Sequence, residues 1–311
     1  MTRAATTPEG AGPTVPDRRV VLITGASSGI GFATARRFAA RGWRVCATMR
    51  RPEKGEPLRL EARERGWDLV TPALDVTDDA GVERTVAELL AATGGRLDVL
   101  VNNAGYFSYG PWEEASTAEL RAQLETNVVG VHRVTRAVLP AMRARRSGRI
   151  VIIGSLSGRV ALPVMGPYHV SKWAIEALAE SLRYEVAIFG VEVALIEPGP
   201  FKTNLHDNEL PAAALGTSGS PYAALVDAYR KQAAGLKRAE LLPLIDVIER
   251  AATVRRPRLR WPVGPTAFSA AYLRRIVPDR IYELLVRFVF RRSGVTDARC
   301  GCASWRAGVG G

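Results

Sequence analysis

The sequence predicts an α/β fold: a doubly wound parallel sheet in a single domain, with a substrate lid and a basic C-terminal extension. Three observations predict it. Short Val/Ile/Leu runs alternate with stretches of helical length from Arg19 to Pro198, and strands covered on both faces read as such runs. Each connection is long enough to cross the sheet and return, as parallel pairing requires. With 311 residues, 47% of them apolar, the chain can bury a large core.

Residues 1 to 18, rich in Pro, Gly, Thr and Ala, read as a disordered leader. Order is expected from Arg19. Val20 to Ile23 is the first strand, followed by a helix from Gly29 to Arg41 and a second strand from Trp43 to Met49. Leu69 to Leu74 is a third strand and Asp78 to Ala92 a helix. Val99 to Val101 is the fourth strand, Thr117 to Arg145 a long helix, and Ile150 to Ile153 the fifth strand. A helix from Tyr168 to Phe189 leads to the sixth, Val191 to Ile196. Beyond Pro198 the alternation is expected to stop, and Leu215 to Pro221 leads into a helix from Tyr222 to Arg238. An excursion at the carboxyl end of a strand sits where open α/β sheets bind ligands, so residues 200 to 240 read as the lid.

Composition excludes several classes. No apolar run approaches the roughly 20 residues of a membrane-spanning helix, and Met1 to Arg18 lacks the apolar region of a signal peptide. Cys46, Cys300 and Cys302 cannot build a disulfide framework, and three histidines offer no zinc-ligand spacing, so no metal is expected. A reducing, cytoplasmic compartment is expected. Net charge is +12, and from Glu249 onward 13 arginines and no lysine face 4 acids. These arginines alternate with prolines and large apolar residues without a recognised reading module, so nucleic acid is not an expected partner.

Thr24-Gly25-Ala26-Ser27-Ser28-Gly29-Ile30-Gly31 stands at a strand-to-helix turn. Glycines there admit a pyrophosphate close to the backbone, where exposed N–H groups and the helix dipole meet its charge. Four further elements follow in order: Asn102-Asn103-Ala104-Gly105, Asn127, Ser155, and Tyr168 with Lys172 four residues on. Pro198-Gly199-Pro200-Phe201-Lys202-Thr203 completes the series. From about Arg19 to Thr203 the chain resembles the short-chain dehydrogenase/reductase family, whose catalytic domain, of Rossmann type, would span 19 to 265. Tyr168 and Lys172 lie one helical turn apart on one face. Bringing a tyrosine from a pKa of about 10 to near 7 needs roughly 4 kcal/mol of phenolate stabilisation. The resemblance implies Tyr168 as acid in ketone reduction and base in alcohol oxidation. It implies Lys172 as tuner of that pKa and holder of the nicotinamide ribose, Ser155 on the substrate oxygen, and Asn127 anchoring a relay water.

The same resemblance implies a cofactor site of Gly25, Ser27, Ser28, Gly29, Ile30, Gly31, Asp75, Val76, Asn102, Ala104, Gly105, Tyr168, Lys172, Pro198, Gly199 and Thr203, with Asn102, Ala104 and Gly105 either lining the cofactor or bracing the central strand. Asp75 would meet the adenine amino group and Thr203 the carboxamide. After the second strand Met49 stands where an NAD-selective site carries an acid, and Arg50 and Arg51 follow. Guanidinium groups suit a 2′-phosphate, so NADP(H) is favoured over NAD(H), with Arg50 the main contact and Ser27 assisting.

Tyr106, Phe107, Leu156, Val160, Leu162, Val164, Met165, Phe201 and Leu205 are expected around the nicotinamide beside Ser155. Few charges among them favour a lipophilic ketone or secondary alcohol. The segment YHVSKWAIEALAESLRYEV and residues Arg255 to Gly264 resemble the hydroxysteroid and retinol dehydrogenase-like branch. His169 reads as a packing or surface residue; His132 and His206 have no placed partner. The helices 117 to 145 and 168 to 189 resemble the family's interface helices, implying a homodimer or homotetramer.

From Pro278 to Arg292, Ile281, Leu284, Leu285 and Phe288 fall at i, i+3, i+4 and i+7. The preferred reading packs this stripe on the body, closing the pocket. The other lays it on anionic lipid as a peripheral membrane contact, aided by Arg274, Arg275, Arg291 and Arg292. Cys300-Gly301-Cys302 reads as a disordered tail. A second functional reading stays open here: a dinucleotide-binding scaffold with a vestigial site, recruited to lipid by that helix. The complete Asn, Ser, Tyr, Lys set argues against it.

Overall fold

Side chains alternate across a strand, so a strand apolar at every position must face a core on each side. The computed structural model describes residues 18–202, 210–213, 215, 219–264, 274 and 276–292, and its central sheet obeys this rule. The strands β1 (Val20–Ile23), β2 (Arg44–Ala47), β3 (Leu69–Val70) and β4 (Val99–Asn102) are followed by a two-residue β5 (Ser108–Tyr109). Then come β6 (Gly148–Ile153), β7 (Val191–Pro198), the two-residue β8 (Leu210–Pro211) and β9 (Arg260–Val263). Seven of them form one sheet in the order β3-β2-β1-β4-β6-β7-β9, every pair parallel.

Val21, Ile23, Val45, Ala47, Val99, Val101, Val151 and Ala194 face one core. It is closed by Phe38 of α1 (Gly29–Ala40), Leu58 of α2 (Glu56–Arg65) and residues that lie later in the chain. The alternate positions Leu22, Cys46, Leu100, Ile150, Ile152 and Val193 face the other core. There α3 (Asp79–Ala92) brings Val82, Val86 and Leu89. Beyond α4 (Thr117–Leu124), α5 (Gly130–Ala144) brings Val134, Val138 and Met142, and α6 (Gly166–Ala187) brings Ile175 and Ala179. Strand order reverses between β1 and β4, which leaves a crevice at their carboxyl ends.

Several expected bounds change. The third strand shortens to two residues plus an isolated Met49–Ala73 bridge. The segment between the second and third strands, given no element by its sequence, forms a 3-10 turn at Pro52–Gly55 and α2. The long helix expected from Thr117 to Arg145 is divided by a π turn, Glu125–Val129. Nor does the alternation stop at Pro198. After α7 (Ala223–Gly235), α8 (Leu242–Thr253) and β9 add a further unit, and β9 pairs with β7 through Leu195–Arg260 to Pro198–Val263. Pro262 hides this strand in the sequence, because proline is tolerated only where a strand edge needs no donor.

The leader, apart from Arg18, lies outside the described residues, as do Thr203, Leu205, His206, Arg275, Cys300 and Cys302. The helix expected near 278 to 292 is α9 (Asp279–Arg292). It packs against the body mainly through Val286 and Phe290, which lie outside the expected stripe; of that stripe Leu285 alone turns inward. Ile281, Leu284, Leu285 and Phe288 are nonetheless exposed, Leu284 by 64%. Six of its fourteen residues are charged, but the apolar ones spread over more of the helix than the buried side needs, so periodicity alone does not select the inner face.

Trp261 on β9 is buried in the core that holds Phe38, and its indole N–H donates to the Arg258 carbonyl at 2.8 Å. Trp261→Ala is expected to cost about 3–5 kcal/mol of stability, measured by urea unfolding; a cost below about 1 kcal/mol would place β9 outside the cooperative core.

Candidate active site

The turn after β1 is built by contacts that leave no room for side chains. Gly25 has φ +68°, and a Cβ there would lie 2.8 Å from the Ala104 Cα; a Cβ on Gly31 would lie 2.5 Å from the Gly25 oxygen. Thr24 Oγ1 accepts from the backbone N–H groups of Asn103 and Ala104, both at 3.0 Å. The Asn103 side-chain amide donates to the carbonyls of Thr24 (2.9 Å) and Gly25 (3.0 Å). The carboxyl ends of β1 and β4 are thereby locked together. Ser28, the N-cap of α1, makes no side-chain cap bond, and the helix's first turn contains no acid. Its N–H groups and dipole are therefore available to an anion.

A cavity of about 1370 Å³ opens above this turn. Gly25, Ser27, Ser28, Gly29, Ile30, Arg50, Asp75, Val76, Ala104, Gly105, Pro198 and Gly199 all line it, as the sequence predicts. Two predicted cofactor residues do not. Asn102 is buried and its amide donates to Thr135 Oγ1 at 2.9 Å, on the far side of β4. Gly31 serves the close packing just described. Neighbours that the sequence reading passed over do face the cavity: Asn103, Met49, Arg51 and Lys54. Alternation along β4 carries that signal, since Asn102 and Asn103 must point to opposite sides. Arg50 and Arg51 are exposed and form no ion pair with a described residue, so their charge is available at the phosphate end. The donor set, the acid-free helix start and the glycine cradle fit a dinucleotide.

At the other end stand Ser155, Tyr168 and Lys172. Ser155 follows β6 in extended backbone and its Oγ accepts from the Ser157 N–H at 3.1 Å. Tyr168 is buried edge-on against Phe107, ring centroids 4.8 Å apart. Lys172 donates to the Ile153 carbonyl at 3.0 Å and lies 5.6 Å from the Tyr168 ring centroid. Burial pushes the Tyr168 hydroxyl up to about 12, opposed by its hydrogen bond with Ser155. Burial also pulls the Lys172 ammonium down to about 8. The protein alone thus holds Tyr168 protonated; the field considered from the sequence is that of Lys172 together with the positive nicotinamide of an oxidised cofactor.

Asn127 is buried within the π turn, and its side chain does not reach the cavity. Its Oδ1 accepts from the Tyr106 N–H at 3.1 Å, and its Nδ2 donates to the Tyr106 carbonyl (3.0 Å) and to Ser171 Oγ (3.1 Å). Ser171 in turn donates to the Tyr168 carbonyl at 2.7 Å. The amide ties the loop after β4 to the helix that carries Tyr168. His169 is a packing residue with a second duty: Nε2 accepts from the Leu162 N–H at 3.0 Å while Nδ1 lies 2.9 Å from the Ser157 carbonyl. One neutral tautomer satisfies both contacts, fixing the loop between Ser155 and α6, and burial holds its pKa below the ordinary histidine value.

Tyr106, Phe107, Leu156, Val160, Leu162, Met165 and Phe201 line the cavity as predicted. Val164 lies in the adjoining cluster with Phe107 and Tyr168, in left-handed backbone at φ +70°, a costly conformation for a β-branched residue. Tyr229 and Leu236 after α6, and Tyr282, Leu285, Val286 and Phe290 of α9, complete the wall. Sequence motifs do not reveal them, because they come from later in the chain and carry no spacing signature.

Under α6, one turn beyond Lys172, Glu176 meets Glu197 of β7. Arg159 Nε lies 2.6 Å from Glu197 and 3.6 Å from Glu176, and Arg260 reaches Glu176 at 2.9 Å and Glu180 at 2.6 Å. Burial first, then the neighbouring Glu197 carboxylate, pushes Glu176 up from 4.5 to about 7. Between those values the folded protein keeps a proton that the unfolded chain has released, so stability falls as pH rises through this window. Replacing Glu176 by Gln, which is neutral throughout, is expected to flatten that fall. Melting temperatures of both proteins from about pH 5 to pH 8 test this, and parallel curves would refute it.

The family model described as short chain dehydrogenase matches residues 19–213. The oxidoreductase YbbO of Escherichia coli is 31% identical over 87% of this chain and 94% of its own length. An NADPH-dependent 3-dehydrocapnine reductase of Ornithobacterium rhinotracheale is 32% identical over 85% and 95%. Human retinol dehydrogenase 8 is 41% identical over 60% of each chain. Among solved structures, a short-chain dehydrogenase of Streptomyces avermitilis superposes with TM-score 0.76 at 34% identity, covering 90% of this chain and 99% of that one. A metagenomic short-chain oxidoreductase in complex with NADP gives 0.62 at 28% identity over 79% and 98%. A sheet that locks a glycine turn over an anion site, the tyrosine and lysine one turn apart, and these matches agree: the chain belongs to the short-chain dehydrogenase/reductase family, and is an oxidoreductase of CH–OH and C=O groups that binds a nicotinamide dinucleotide.

Proposed function

We propose that the protein is an NADP(H)-dependent reductase of a lipophilic ketone, interconverting it with the secondary alcohol. One observation carries the reading: Ser155, Tyr168 and Lys172 face the same cavity as the glycine turn and the Arg50, Arg51, Lys54 cluster. The bound dinucleotide supplies or accepts the hydride. Tyr168 gives its proton to the substrate oxygen, and its high pKa in the protein keeps that proton in place at neutral pH. Ser155 donates a hydrogen bond to the same oxygen as negative charge grows on it. Lys172, still largely cationic at pH 7, holds the ribose and stabilises the tyrosinate left behind. Asn127 acts through Ser171 and Tyr106, keeping Tyr168 and the opposite loop in register.

Three basic side chains after β2, Arg50, Arg51 and Lys54, line the cavity while the neighbouring Glu53 does not, which supports a 2′-phosphate over a bare ribose diol. Thr203 remains the residue proposed for the carboxamide. The substrate end is walled by Phe107, Leu162, Met165, Phe201, Val286 and Phe290, which supports an apolar substrate. The names of the capnine and retinol relatives point the same way. Exposed Val170, Trp173 and Tyr184 on α6, Ile188 just after it, and Val129 offer a face for assembly with a second copy.

Tyr168→Phe is expected to lower kcat for a lipophilic ketone at least about 100-fold while NADPH, read from cofactor fluorescence, still binds with less than about a tenfold loss of affinity. Retained turnover would remove Tyr168 as the acid. Arg50→Asp is expected to weaken NADPH binding at least about tenfold and to leave NADH binding within about twofold of the parent. Equal loss for both cofactors would place Arg50 outside the phosphate contact.

A further inference from the structure

Helix α9 presents two apolar faces. Tyr282, Val286 and Phe290, at i, i+4 and i+8, line the cavity. On the outer side Ile281 is 51% and Leu284 64% exposed, and Ile276 just before the helix is 75% exposed. Isolated exposed apolar residues are ordinary, but a contiguous patch on one helix is not. Two residues join the faces. Leu285 of α9 and Leu236 at the end of α7 line the cavity, yet are 44% and 50% exposed. Apolar side chains therefore reach from the interior to its rim, beside Gln232, whose amide donates to the Val289 carbonyl at 3.4 Å.

The sequence segments that carry this rim are basic, and their composition selects the partner. From Ala223 to Glu240 four basic residues face two acids, and from Asp279 to Arg292 again four face two. Both acids of α9 are already paired, Asp279 with Arg274 at 2.8 Å and Glu283 with Arg287 at 2.6 Å. Arg280 forms no ion pair with a described residue. An apolar stripe flanked by excess arginine complements a surface that is apolar inside and anionic outside. No described helix is long and apolar enough to cross a membrane, so the contact would be superficial.

We propose that α9 seats the protein on an anionic lipid bilayer, with the Leu236–Leu285 rim as the portal through which a lipophilic substrate passes between bilayer and cavity. The portal half rests on the substrate class proposed above; the docking half does not. Docking requires only that Ile281 and Leu284 enter the interfacial layer while Arg280 and its neighbours meet headgroup phosphates. A substrate partitioned into the bilayer would then reach the cavity without crossing water.

The full chain, with NADPH, would be floated with phosphatidylcholine vesicles and with vesicles also containing phosphatidylglycerol, at low and high salt. Expected is binding to the anionic vesicles that weakens in high salt and is weaker on the neutral ones. Leu284→Glu combined with Ile281→Ser should reduce binding at least about tenfold, and Arg280→Ala about fivefold. NADPH affinity and melting temperature serve as folding controls for these variants; should the double variant unfold, Arg280→Ala alone decides. Absence of wild-type binding at low salt, or binding that no variant alters, would overturn docking. So would a double variant that breaks an oligomer of a wild type that does not bind vesicles, since the face would then cover a second copy. For the portal, the double variant should raise KM at least about tenfold for a ketone delivered in vesicles and leave KM for a water-soluble ketone unchanged. Equal effects on both would overturn the portal. If vesicles bind and no ketone turns over, docking stands and the reductase reading fails.

Discussion

The structure depends on how closely two strand ends can approach at the point where the sheet's winding reverses. Thr24 accepts two backbone N–H groups from the end of β4, and Asn103 returns two donors to the end of β1. Neither exchange survives a side chain at Gly25 or Gly31. This closeness points the first turn of α1 at the crevice and fixes where an anionic cofactor can lie. Everything catalytic is measured from there, because Ser155 and Tyr168 reach the crevice from strands and helices aligned by the same sheet.

A second constraint is the cost of removing charge from water. Burial raises Tyr168, lowers Lys172 and raises Glu176, so three groups within a few turns of one another are each pushed toward neutrality. Such a cluster holds together only through compensating contacts: the Ile153 carbonyl for Lys172, Ser155 for Tyr168, and Arg159 with Arg260 for the paired glutamates. The neutral tyrosine suits proton donation. Charge brought by a bound dinucleotide changes this balance, which links cofactor binding to the protonation of the site.

Much of this was legible in the chain. Runs such as Val20 to Ile23 and Val191 to Ile196 can be stable only when covered on both faces, so alternating them with helices dictates the sheet. The glycine turn, Ser155, Tyr168 and Lys172 are legible because their chemistry needs fixed residue types at fixed spacing. Less legible was what depends on direction rather than type. Asn102 and Asn103 are identical side chains, and only the strand's alternation tells which faces the crevice. The π turn that buries Asn127 leaves no compositional mark, and β9 is masked by Arg260 and Pro262. Helix α9 was found, but its inner face was misjudged, since Tyr282, Val286 and Phe290 are as apolar as the stripe outside.

The wall of the cavity has a consequence for how the protein comes into being. Tyr168 and Phe290 belong to one cluster although two of the sheet's seven strands, β7 and β9, and the helices α7 and α8 are synthesised between them. The cofactor crevice is complete once β7 has formed, whereas the substrate chamber must wait for α7 and α9. A nascent or proteolytically clipped chain lacking α9 would keep a closed sheet and a dinucleotide crevice but hold an open, wetted chamber. The wall thus joins early residues, Phe107, Leu162 and Phe201, to late ones, Tyr229, Val286 and Phe290, whereas the glycine turn and the end of β4 come from the early part of the chain alone.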